Sequence, residues 1–183
     1  MVSCFIGIVP PPGISEAISH FAGAFGCRPG WPPHITVKAQ PGLTCDLGWL
    51  ESVQEACRTH AVIAAKLGGP IMLGESVLCL HVQSPTIEAV HRTILNTINP
   101  SPEERARFFE GDLYFPHLTL AMRGEAIDGA KLRAMQQQAA GLGPFPCFAA
   151  SELVVFCIDS QGTYQRVAGI QLGAEGTRPL SDD

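Results

Sequence analysis

Charge is what this chain has little of. Asp, Glu, Lys and Arg make up only 16% of its 183 residues, and 17 acidic residues outnumber 12 basic ones, for a net charge of −5. Long nucleic acids are gripped mainly through many Lys and Arg contacts to phosphates. A wide electrostatic interface with DNA or long RNA is therefore excluded. A small anion is not, because one local cluster of donors holds one phosphate. Long apolar runs are missing too: none approaches the roughly 18 residues that a membrane span needs, so no membrane partner is expected. The opening MVSCFIGIVPPPG is apolar only briefly and has no basic leader, so it reads as a first strand and not as a signal peptide. The seven cysteines include no Cys-x-x-Cys pair, and several sit in apolar runs such as SVLCLHV. They read as buried free thiols in a reducing cytoplasm. Low-complexity segments and linkers are absent as well, and apolar residues reach 46%, enough for one core. The expectation is one domain over 1–175 and a flexible, solvated tail over 176–183.

What is present is a regular alternation of short elements. Cys4–Val9 reads as a strand ended by three prolines. Ile14, Ile18, Phe21 and Phe25 recur at helical spacing, predicting a helix over Ser15–Phe25. Asp46 is positioned to cap a helix running to about Arg58. Val62–Leu67 and Val77–Val82 read as strands, with GGP (68–70) as the turn after the first. Ser84-Pro85 opens a helix to about Ile98. The polar connection 99–113 carries a short helix at Glu103–Phe109 and two arginines, Arg105 and Arg107, that can face RNA. Asp128 caps a helix to about Ala140, and strands follow at Pro146–Ala150, Leu153–Ile158 and Arg166–Leu172.

Two segments stand out. PPHITVKAQ contains His34-Ile35-Thr36-Val37, and FPHLTLAMR contains His117-Leu118-Thr119-Leu120. Each follows a proline, and each alternates polar with apolar as a half-buried strand does. On a strand, alternate side chains share a face. His34 and Thr36 thus point one way, with Ile35 and Val37 behind them, and His117 and Thr119 do the same. The histidines lie 83 residues apart, too far for a solenoid repeat but suited to two similar lobes facing each other. Two imidazoles and two hydroxyls then surround one point. With a free pKa near 6.5, one histidine can be neutral and the other protonated near neutrality. One can take a proton from water attacking phosphorus while the other delivers a proton to the leaving oxygen. The hydroxyls can donate to the phosphate oxygens. Zinc is the rival use of two histidines. The motifs bring no carboxylate, and His20, His60, His81 and His91 have no ligand spacing, so no metal is expected.

The doubled motif resembles the two-histidine phosphoesterase superfamily, and within it the 2'-5' RNA ligase and RNA 2',3'-cyclic phosphodiesterase group. The resemblance covers nearly the whole chain to about Leu172. It implies an α+β fold: bilobal and pseudo-two-fold, with two antiparallel sheets lining a central cleft and helices outside. It also implies metal- and cofactor-independent opening of 2',3'-cyclic phosphates to 2'-phosphates, with ligation through a 2'-5' bond as the reverse reaction. His117 would be the general base, His34 the general acid, and Thr36 and Thr119 the phosphate holders. The expected partners are RNA ends or cyclic nucleotides, and the expected state a cytoplasmic monomer. Many members carry Arg five residues after the second histidine; here that position is Met122, and Arg123 follows. Strand parity puts Arg123 on the face of His117 if no bulge intervenes, and Lys38 on the face of His34, so both are candidate phosphate ligands. Phe5 and Tyr114, with Trp31 and Phe156, are candidates for stacking on a base. Other readings stay open: a protein that binds nucleotide or RNA ends without turnover, or an enzyme for another cyclic phosphate or a 2'-5' linked oligonucleotide.

Overall fold

The computed structural model describes residues 3–27, 32–124 and 126–173. Trp31 and the expected 176–183 tail lie outside the described residues. In chain order the elements are β1 (Ser3–Ile8), α1 (Pro12–Ala24), β2 (Ile35–Lys38), α2 (Leu50–Cys57), β3 (Ile63–Leu73), β4 (Val77–Gln83), α3 (Ile87–Ile98), α4 (Pro102–Arg107), a 3-10 turn (Gly111–Leu113), β5 (His117–Met122), α5 (Gly129–Ala139), β6 (Phe148–Ala150), β7 (Glu152–Ile158) and β8 (Tyr164–Gln171).

The strands form one curled antiparallel sheet in the order β6-β3-β4-β5-β2-β1-β7-β8. It divides naturally into two halves of four strands, each with one motif strand at its inner edge. The halves meet where β2 pairs with β5, at Ile35 opposite Leu118. This is the expected bilobal arrangement, with the two lobes joined edge to edge. One face of the sheet carries the core. Ile6, Ile8, Ile35, Val37, Leu80, Leu118 and Val155 pack there against Ile14 and Ile18 of α1, Val53 of α2, Val90 and Ile94 of α3, and Leu132 and Met135 of α5. With the helices on that face, the opposite face is left for the polar side of the motif strands.

Local chemistry accounts for most of the boundaries. Asp128 caps α5 through the Lys131 N–H, 2.8 Å away. Ser101 and Glu104 form a reciprocal capping box that starts α4. Two readings change. Asp46 does not cap α2, whose N-cap is Trp49; its carboxylate instead accepts from the Thr44 hydroxyl and the Gly48 N–H, closing a turn. The GGP segment is not a turn either. β3 runs through it to Leu73, with a bulge between Leu67 and Pro70 that absorbs a proline unable to donate to the ladder. The chain reverses at Gly74, which takes the positive φ of 56° that glycine accepts without strain.

Candidate active site

The two motif histidines are held alike. His34 Nδ1 lies 2.8 Å from the Pro32 carbonyl, and His117 Nδ1 lies 2.7 Å from the Phe115 carbonyl. Each bond reaches back two residues across an intervening proline, Pro33 or Pro116. A carbonyl only accepts, so each Nδ1 carries the proton, and Nε2 is the nitrogen left for chemistry. Ile35 opposes Leu118 across the seam. Continuing that register one residue each way sets His34 opposite Thr119 and Thr36 opposite His117. Each histidine therefore faces the other motif's threonine, on the face opposite the apolar core.

The fourth motif residue has an unexpected role in both strands. On β2, Gly7 pairs with Thr36 but Ile6 pairs with Lys38, so Val37 is an extra residue. On β5, Cys79 pairs with Thr119 but Leu78 pairs with Ala121, so Leu120 is extra. Both motifs end in a bulge, and a bulge inverts the faces of everything after it. The two parity arguments fail for this one reason. Lys38 turns to the face of Ile6 and is fully buried. Its ammonium donates to the carbonyls of Ala39 and Pro41 and pairs with Glu110 at 2.9 Å, which leaves no proton for a phosphate. Arg123 falls beyond the end of β5, exposed, with its backbone N–H on the Ser76 carbonyl. Met122 instead pairs with Val77, on the side of Cys79 and Thr119.

Of the stacking candidates, Phe5 stands beside the site. Its ring centroid lies 4.8 Å from that of His34 and 5.0 Å from that of Phe156, in a small cluster with Val154 and the partly buried Tyr164. Phe5 and Phe156 are buried there, as a wall behind His34. Tyr114 departs from the expectation. Its hydroxyl donates to the Thr36 carbonyl at 2.8 Å, and one face of its ring is covered by His91 at a centroid distance of 3.9 Å. Burial raises its pKa far above the ordinary phenol value, so it remains a donor. Arg105 and Arg107 lie on α4, and Arg105 is engaged with Pro100 and Asn99.

Sequence reasoning passes over three further residues. Nδ1 of His91 donates to the Val37 carbonyl at 2.7 Å, while its Nε2 accepts from the Gly111 N–H. Glu110 accepts from the Ala39 N–H at 3.0 Å. With Tyr114, these side chains satisfy backbone groups in and just after β2, beyond its contact with β5. The only sequence signal for His91 is its place among the apolar positions of α3. The third is His81, which pairs directly across from His117 and stacks on Phe115 at 4.9 Å.

Burial is the main influence on His34, and it favours the neutral ring. The Pro32 carbonyl opposes that shift and the charge of His117 adds to it, leaving the pKa below the ordinary imidazole value. His34 and Thr119 line a cavity of about 310 Å³ whose other walls include Ile18 and Ala22 of α1, Met122 and Ile127. Among the described residues, the only group of three or more metal-capable side chains is Cys4, Cys45 and Cys157. It lies on the core side of β1, because Cys4 belongs to the core while its neighbour Phe5 belongs to the cluster behind His34. No helix among the described residues is long and apolar enough to cross a membrane.

The model of the 2'-5' RNA ligase superfamily matches residues 10–159, and the chain belongs to that superfamily. Fold and motif pair together define its class as a two-histidine phosphoesterase. Among solved structures, TT0787 of Thermus thermophilus aligns at a TM-score of 0.64 with 15% identity, over 93% of this chain and 97% of that one. E. coli LigT complexed with phosphate aligns at 0.57 with 15% identity, over 93% and 96%. A structure described as a phosphoesterase aligns at 0.56 with 18% identity, over 93% and 97%. At these identities the likeness is one of fold. No curated protein matches the chain.

Proposed function

We propose that the chain is a metal-independent 2',3'-cyclic phosphodiesterase acting on RNA ends or nucleotides, releasing 2'-phosphates. The observation that carries this reading is the matched pair of imidazoles. Each is locked through Nδ1 to the carbonyl two residues back, and each has Nε2 available across the seam from the other motif's threonine. Nε2 of neutral His117 takes a proton from water as its oxygen attacks phosphorus. The bond from phosphorus to O3' breaks, and Nε2–H of protonated His34 delivers a proton to O3'. Thr36 and Thr119 donate to the phosphate oxygens as charge develops. With a 5'-hydroxyl in place of water as the nucleophile, the same proton transfers open the cyclic phosphate at P–O3' and join its end through a 2'-5' bond.

LigT structures hold phosphate, 3'-AMP and ATP, which supports a phosphate-bearing nucleotide as the ligand here. The test is incubation with 2',3'-cyclic AMP in EDTA, with separation of the monophosphate isomers. The expected product is 2'-AMP, and His117→Ala should lower turnover by about 10²–10⁴ while 2'-AMP still binds. A wild-type chain that binds 2'-AMP but makes no product would be an end-binding protein. Accumulation of the 3' isomer, or an active His117→Ala chain, would overturn the assigned roles.

A further inference from the structure

Three sulfurs meet on the core side of β1. Cys4 and Cys157 are directly opposed across β1 and β7 and form a disulfide, which corrects the reading of all seven cysteines as free thiols. Both are buried. Cys45, on the loop after β2, places its Sγ 3.2 Å from Cys4 Sγ, and the three sulfurs all lie within 4.8 Å of one another. Unlike its two neighbours, Cys45 is exposed. The remaining four thiols are of another kind, and Cys27 among them is half-buried, with burial raising its pKa. Cys57 and Cys79 are buried, with their pKa pushed up to about 11, so they stay protonated and inert. Cys147 is exposed but stands outside the cluster.

We propose that Cys4, Cys45 and Cys157 form a thiol–disulfide exchange centre, in which exposed Cys45 is the port through which small thiols in solution reach the buried disulfide. Cys4 and Cys157 are 0% and 9% exposed as residues, so a solution thiol has little direct access to their bridge. Cys45 is already against one of them. Its thiolate attacks Cys4 Sγ; the Cys4–Cys45 bond forms, the Cys4–Cys157 bond breaks, and Cys157 leaves as the thiolate. The new disulfide has one sulfur at the surface. A solution thiolate attacks Cys45 Sγ and releases Cys4, giving a mixed disulfide on Cys45. A second thiol, attacking the sulfur of the attached molecule, frees Cys45 and leaves a small-molecule disulfide. Two electrons and two protons pass from two solution thiols to Cys4 and Cys157. Reversed, the same steps oxidise the pair at the expense of a small disulfide. The next residues along both strands are Phe5 and Phe156, the ring pair behind His34. The bridge that this centre opens therefore lies directly behind the wall of the site.

The experiment follows reduction of the oxidised full-length chain by dithiothreitol, with alkylation at timed intervals and mass mapping of the cysteine peptides. Cys45→Ser should slow loss of the Cys4–Cys157 disulfide on the order of tenfold or more, because attack by a held neighbouring thiol outruns attack from solution. Cys147→Ser should leave the rate unchanged. Oxidised Cys157→Ser should carry a Cys4–Cys45 disulfide. Reduction of Cys45→Ser at the wild-type rate, a free Cys4 in oxidised Cys157→Ser, or an oxidised wild-type chain lacking the Cys4–Cys157 disulfide would each overturn the proposal. None of these readouts involves phosphoester turnover.

Discussion

His34 and His117 make the same hydrogen bond in different surroundings. His34 is packed among Phe5, Phe156 and Tyr164, whereas His117 stands opposite His81. Burial thus acts on His34 and favours its neutral form. In the proposed roles His34 must be protonated to act as the acid, so activity falls as pH rises through a pKa below the ordinary imidazole value. A pH profile of kcat/KM, which reports the free protein, should peak on the acid side of neutrality. An optimum above pH 8 would contradict the assignment of His34. The catalytic candidates themselves were legible, since Pro-His-apolar-Thr-apolar occurs twice. Lys38 and Arg123 were not, because parity counts residues and cannot see a bulge. With Lys38 turned inward and Arg123 beyond the strand, the proposed mechanism leaves more of the task of meeting the phosphate charge to protonated His34.

At the scale of the element, β2 is short and has β5 beside it only at its start. Unpaired backbone groups away from water are costly, and here side chains replace the missing ladder. Tyr114 serves Thr36, His91 serves Val37, and Glu110 serves Ala39. This splint holds the strand that carries Thr36. Its pH dependence follows from His91, whose pKa burial lowers to about 4 in the fold. The unfolded chain binds the proton more readily, so stability rises with pH. The contribution is fully present above about 6.5, the ordinary imidazole value, and is lost as pH falls from there to about 4. Its size is about 3 kcal/mol. Urea unfolding should show His91→Gln weaker at pH 7 but with a flatter pH dependence between 6.5 and 4; an unchanged slope would exclude His91 as its source. Glu110→Ala would strand the Lys38 ammonium in the core, at a cost of about 3–5 kcal/mol, and the same measurement reads it.

The whole molecule is two four-stranded halves sharing one core, and the seam between them is also the floor of the site. Ile35 and Leu118 are fully buried at that seam. Ile35→Ala should cost about 2–5 kcal/mol. Because core residues from both halves belong to one cluster, fluorescence and circular dichroism should still report one coincident transition. Two separate transitions would mean that the halves fold independently. Sequence by itself determined the doubled motif, the periodicities that place most of the strands and helices, and the Asp128 cap. These are local properties, set by side-chain spacing and by the bonds a short segment makes with itself. Tertiary structure decided the rest. The paired bulges at Val37 and Leu120 appear only in the register between strands. Glu110, Tyr114 and His91 serve a strand that lies far from them in sequence. The meeting of Cys4, Cys45 and Cys157 is likewise a fact of packing, since 153 residues separate the disulfide partners and no local pattern brings them together.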